Sequence, residues 1–158
     1  MASFWSDIVD DHTGPDLTDA LIADAEALLG VKLPAEYLRV LWLRNGGYPA
    51  RCRFPTAAPT SWAPDHIQIT TLFGVWPGSG LWASGRLIRA RNLPAVGIVI
   101  ADTPSGCGDA VMLDYSACGP TGEPRVVYAE PDVNTVTELA PSFGAFARGL
   151  EVGTADEG

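Results

Sequence analysis

The apolar residues of this 158-residue chain change their period once, and that change restricts which folds are open to it. Through residues 17–42 they recur every three or four positions. Leu17, Leu21, Ala25 and Leu28, with Ile22 and Leu29 beside them, predict a helix with Thr18 as N-cap and Gly30 as its left-handed stop. Pro34 then stands at a first-turn position of a second helix, which carries Tyr37, Leu38, Leu41 and Trp42 on one face and ends at Asn45-Gly46-Gly47. Two short amphipathic helices so closely linked predict a helical hairpin or corner. From residue 67 the period is two. Ile67, Ile69, Thr71 and Phe73 alternate up to Gly74, and residues 96–101 read as a buried strand. Residues 109–115 set Val111, Leu113 and Tyr115 against Ala110, Met112 and Asp114, and residues 126–129 give one more strand. Short Gly-rich links favour antiparallel pairing. Ser142 caps a last helix whose apolar face is Phe143, Phe146, Ala147 and Leu150. The order predicts an α+β fold: a mainly antiparallel, twisted sheet flanked by an N-terminal helix pair and a C-terminal helix.

With 17 glycines and 13 prolines, much of the remainder must be turn and loop. Phe4, Trp5, Ile8 and Val9 predict a short helical start; residues 48–64 lack a period and read as a surface loop; residues 76–85 are turn-like, and residues 102–108 form a hairpin loop. Without an internal repeat, residues 1–150 read as one domain and residues 151–158 as an acidic, fraying tail. The opening residues carry acids where a secretory signal needs positive charge, and the longest apolar run, residues 93–101, is far shorter than the roughly 20 residues that cross a bilayer. A cytoplasmic protein with no membrane partner is expected.

Charge is segregated along the chain. In residues 1–36 eight acids face Lys32 alone, leaving −7. Residues 37–99 hold seven arginines against Asp65, giving +6, and residues 100–158 hold ten acids against Arg125 and Arg148, giving −8. The total of −9 argues against nucleic acid as a direct ligand, because phosphate binding needs a positive surface. An acidic face that steers a basic partner is the functional reading, and internal pairing with the arginines is its rival.

Motifs for chemistry are missing. There is no phosphate-binding loop, since the single lysine is followed by Leu33; Gly106-Cys107-Gly108 lacks the third glycine of a dinucleotide fingerprint; and neither G-x-S-x-G nor H-E-x-x-H occurs. His12 and His66 each follow an aspartate but are isolated, so no metal or other cofactor is expected. Cys107 lies between Asp102 and Asp109, whose charges oppose a thiolate. Asp10 and Asp11 read as a solvated pair rather than an acid and base. Trp62, Trp76 and Trp82 with Arg86, Arg89 and Arg91 could stack single-stranded bases, but core or interface roles suit the net charge better.

The segment from Glu26 through Leu28-Leu29-Gly30-Val31-Lys32-Leu33-Pro34-Ala35-Glu36-Tyr37-Leu38, followed by Asn45-Gly46-Gly47, resembles the N-terminal signature of the SUKH superfamily. The later strands, Gly108-Asp109, Val127-Tyr128 and Ser142-Phe143 follow in that family's order. The resemblance implies a SUKH-like fold and a non-enzymatic protein similar to a fungal cell-wall-synthesis regulator and to bacterial immunity proteins that neutralise polymorphic toxins. It carries no catalytic residue. Residues 48–64 and 76–85, with Pro131 and Asp132, depart from its pattern. The resemblance and the charge together lead to an immunity protein that binds a cognate protein toxin, basic and of the nuclease type, through an acidic face. A regulatory interaction module and a small-ligand binder using the tryptophan-rich loops are the alternatives.

The partner-binding residues expected on this reading are Asp102, Asp109, Asp114 and Glu130, with Asp65 and Trp76 at the rim. Alternation sets Asp114 out of phase with Val111 and Leu113, so it is expected to face solvent; Asp109 is in phase with them but at the hairpin mouth, where it can escape burial. The odd number of cysteines, Cys52, Cys107 and Cys118, with no C-x-x-C pair, predicts three free, partly buried thiols. Thiol labelling of protein taken from the cell should add three tags to the intact mass; a gain of one would reveal a disulfide.

Overall fold

The computed structural model describes residues 4–8, 12–57, 59–60, 63–105 and 107–152. Val9, Asp10, Asp11, Trp62, Gly106 and residues 153–158 of the expected tail lie outside them. Helix α1, Asp19–Leu29, starts where Thr18 accepts a hydrogen bond from the Leu21 N–H at 3.1 Å and stops at Gly30, whose φ of 72° a glycine adopts without strain. Helix α2, Ala35–Leu43, follows Pro34. The buried faces are narrower than the periodicity suggests: Ala25, Tyr37 and Leu41 are fully buried, whereas Leu28 is 55% and Trp42 51% exposed.

Two antiparallel sheets follow. The smaller pairs β1, Arg53–Pro55, with β2, His66–Gln68. Strand β1 lies within the segment expected to be structureless, and its Phe54 packs on Phe146 at 4.9 Å between ring centroids. The larger has the order β3-β4-β5-β6, from Gly97–Asp102, Ala110–Asp114, Arg125–Ala129 and Thr137–Ala140. Between β2 and β3 runs helix α3, Ser84–Arg91, and after β6 comes α4, Phe143–Gly149, capped by Ser142 Oγ on the Ala145 N–H. Neither α3 nor β6 is visible in the sequence pattern. The expected helical start is instead an extended segment in which Trp5 bridges to Pro49. At the far end Glu151, expected to fray, exchanges two backbone hydrogen bonds with Arg53.

The strand expected over residues 67–73 is two things in succession. After β2 the chain crosses from the small sheet to the edge of the large one, where Phe73 N–H donates to Ile100 O and Leu72 bridges both Gly47 and Ala101. Strand β4 is buried along its whole length, on both faces, with α3 packed on β3 and α4 on β5 and β6. Tyr37, Phe143 and Phe146 fill the space between helices and sheet; each large side chain so removed from water contributes roughly 1.5–3 kcal/mol.

Asn45 fastens the helix pair to this framework. Its Nδ2 donates to Pro15 O at 2.8 Å and Val75 O at 3.1 Å, its Oδ1 accepts from Val75 N–H at 2.7 Å, and its carbonyl accepts from Gly14 N–H. The approach is so close that a Cβ on Gly74 would lie 2.2 Å from Asn45 O. Asn45→Ala strands a buried N–H and two carbonyls and should cost about 3 kcal/mol of stability, against about 1 kcal/mol for Thr18→Ala, as read by urea denaturation.

Candidate functional site

The antiparallel register gathers the C-terminal end of β3, the start of β4 and the end of β5 at one end of the large sheet. A cleft of about 560 Å³ opens there, lined by His12, Tyr48, Thr70, Thr71, Arg91 and Thr103 with Asp102, Gly108 and Asp109. Gly108, at φ 88°, makes the hairpin turn and packs against Arg91 and Pro131. Asp102 is half-buried and takes an ion pair from Arg91 Nη1 at 2.9 Å. Asp132, at φ 64°, joins the same end by accepting from Asn92 Nδ2 at 2.7 Å.

Asp109 does not escape burial. It is 4% exposed, and hydroxyls of Thr103, at 2.7 Å, Ser105 and Tyr128 converge on its carboxylate. The register explains this: Val111 faces Tyr128, so Asp109, two residues back on the same face, is the diagonal neighbour that a tyrosine reaches. Glu130 follows β5 directly, at the register position opposite Asp109, and is half-buried.

Asp114 was expected in solvent and is 1% exposed. Its phase, opposite to Val111 and Leu113, is as alternation requires, but that second face is covered as well. It lies at the other end of β4, directly opposite Arg125, whose Nη2 and Nε reach Asp114 Oδ2 at 2.7 and 2.8 Å; Ser116 supplies an N–H and a hydroxyl to Oδ1. Burial pushes this carboxyl upward, but the Ser116 hydrogen bonds and the Arg125 guanidinium outweigh it and hold the carboxyl below the usual range. Asp65 is exposed but sits on the small sheet, where His66 Nδ1 at 2.8 Å and then Arg53 lower its pKa. Trp76 is wedged so tightly that a Cβ on Gly14 or Gly78 would overlap its ring, and it lines a hollow of about 80 Å³ that meets the cleft at His12 and Thr71.

The structure therefore brings together Asp102, Asp109 and Glu130, sets Trp76 beside them, and leaves Asp65 and Asp114 elsewhere. Tyr48, Thr70, Thr71, Arg91 and Tyr128 complete the site; only the pairing of Asp109 with Tyr128 carries a sequence signal, through the strand register. Among the described residues no group of three His, Cys, Asp or Glu is placed to hold a metal ion, and no helix is long and apolar enough to cross a membrane. Hydroxyls and carboxylates outnumber the basic groups of the cleft, which are Arg91 and His12.

Residues 16–149 match the model of the SMI1 / KNR4 family (SUKH-1). The chain belongs to that family. No curated protein and no solved structure matches it. In this SUKH-1 chain the Asn-Gly-Gly signature is the Asn45 fastening and the Gly-Asp pair is the Gly108 turn with the buried Asp109, so both are scaffold residues.

Because the native pKa of Asp114 is lowered, its contribution is fully present above the unfolded-state pKa, near 3.9, and is lost as pH falls through the native value. Asp114→Asn should therefore cost about 2 kcal/mol at pH 7, less than a fully buried pair because Arg125 is partly exposed. The gap between the two proteins should close below about pH 4 in denaturation series across pH.

Proposed function

We propose that this SUKH-1 chain is a non-enzymatic immunity protein that binds and neutralises a basic toxin of the nuclease type. The observation that supports the reading is the hydroxyl- and carboxylate-lined cleft at the sheet end, which holds Asp102, with Glu130 and Asp132 just beyond β5, in a family member of net charge −9. A lysine or arginine of the toxin enters the cleft and meets Asp102, while the carboxylates around it raise the encounter rate. Trp76 and Tyr48 offer aromatic surface at the rim. Asp109 and Asp114 act from beneath, holding the strands that carry the rim. The cell's cytoplasm is the location this role requires.

Affinity capture on the tagged chain should recover one basic protein whose toxicity ends on co-expression. The double variant Asp102→Asn, Glu130→Gln should associate with it about fivefold more slowly, and added salt should slow wild type more than the variant. A captured partner of acidic or neutral charge, or a folded variant associating at the wild-type rate, would overturn the reading. Capture of a regulator that is not toxic would favour the interaction-module alternative.

A further inference from the structure

Arg86 and Arg89 stand exposed on α3 with no carboxylate partner among the described residues, although the chain carries nearly two acids for every base. They edge a groove of about 470 Å³ walled by Leu28 and Leu29 of α1, by Trp82, and by Gly97 and Ile98 of β3. A second hollow of about 320 Å³ continues it past Ala95 and Val96, sharing Leu29, Gly97 and Ile98. Leu28, more than half exposed, forms an apolar lip.

The floor of the groove is a sheet edge. β3 is the terminal strand of the large sheet, and Val96 O accepts from Tyr115 N–H at 2.9 Å on its inner side. Backbone polar groups of an antiparallel strand alternate in direction, so the N–H and C=O of Gly97 point outward, away from β4. Val99 has the same phase, and its N–H is taken by Ser84 Oγ at 2.8 Å. Farther along, Ile100 and Asp102 are paired with residues 70–73. The edge is thus closed from Val99 onward and open at residues 95–97. On the inner side β3 lies so close to β4 that a Cβ on Gly97 would sit 1.9 Å from Leu113 O, which reserves this position for glycine.

We infer that this groove docks an extended acidic segment of another protein, which adds a short strand to β3 at residues 95–97 and sets its carboxylates against Arg86 and Arg89. The outward Gly97 groups supply main-chain hydrogen bonds, Leu28, Leu29 and Trp82 cover an apolar side chain, and the two guanidiniums select for acid. The start of α3, which has no side-chain cap and faces the groove at Ala83 and Ser84, adds positive potential. A nucleic acid meets the arginines equally well, but it lacks the evenly spaced N–H and C=O groups with which a peptide backbone continues a sheet. The cleft lies at the Asp102 end of the same strand, about 17 Å away, and shares no lining residue with the groove, so this inference does not rest on the proposed function.

A synthetic peptide of about ten alternating Val and Glu residues, titrated into the isotope-labelled full chain, should shift the amide signals of Ala95, Gly97 and α3 and slow hydrogen exchange at Gly97. The double variant R86E/R89E changes only exposed side chains; once circular dichroism shows it folded, it should bind the peptide about tenfold more weakly. The same peptide with every backbone amide N-methylated should not bind. The inference is overturned by no binding at millimolar peptide, by equal binding of R86E/R89E or of the methylated peptide, or by tighter binding of an oligouridylate at these residues. It is also overturned if the peptide binds only after residues 153–158 are removed, since the groove would then belong to the chain's own acidic end.

Discussion

The Asn45 side chain does for this fold what a strand pair does elsewhere: it exchanges hydrogen bonds in both directions with the backbone of Val75. Beside it two successive bridges, Gly47 to Leu72 and Leu72 to Ala101, carry the end of the helix pair onto the edge of the large sheet. Tyr37 reinforces the joint from α2 by donating its buried hydroxyl to Phe73 O at 2.5 Å, and burial raises the pKa of that phenol far above its usual range. Tyr48, Thr70 and Thr71, which wall the cleft, all flank this connection. Their positions are set by a polar side chain that is 2% exposed, where each unmade hydrogen bond is costly.

What a sequence displays is phase, and phase is not coverage. The caps at Thr18 and Ser142 and the stop at Gly30 are local chemistry, so they are legible and they stand as read. Asp114 is likewise placed on the correct face of β4, but whether water reaches that face depends on helices packed from distant parts of the chain. The same holds in reverse for Trp42 and Leu28, whose helical spacing marks them as core although each is about half exposed. Helix α3 escapes notice because three arginines in eight residues hide its short apolar side, and β6 because only Ala140 of its four residues is buried. At the candidate site, Asp102, Asp109 and Glu130 converge as strand pairing requires, while Tyr48 and Thr103 come from segments with no period to read, and the alternation that includes Thr71 does not show which sheet it joins.

The buried polar pairs of the large sheet also act on its register. Asp114 sits directly opposite Arg125, and Asp109 is diagonal to Tyr128 on the other face of the same two strands. A two-residue slip of β5 keeps the same faces turned inward but takes Arg125 from its place opposite Asp114, and in one of the two directions it carries Tyr128 out of reach of Asp109. The valines and alanines of these strands discriminate poorly between such alternatives. The polar pairs at the two ends do, so the acids that sequence alone assigns to a partner serve first to make one pairing of β4 and β5 acceptable.

Both ends of the described chain are held by one short stretch. Phe4 to Ser6 pair with residues 48–50, and Glu151 pairs with Arg53 only a few residues further on. A fully extended run of four residues spans at most about 14 Å, so entry and exit of the domain are near neighbours. A domain with that geometry can be spliced into a surface loop of a larger host without forcing the host's flanking strands apart, and its own ends can be joined and reopened elsewhere. It also means that fraying at either end loosens the same stretch, so the two termini are mechanically coupled although nearly the whole chain separates them.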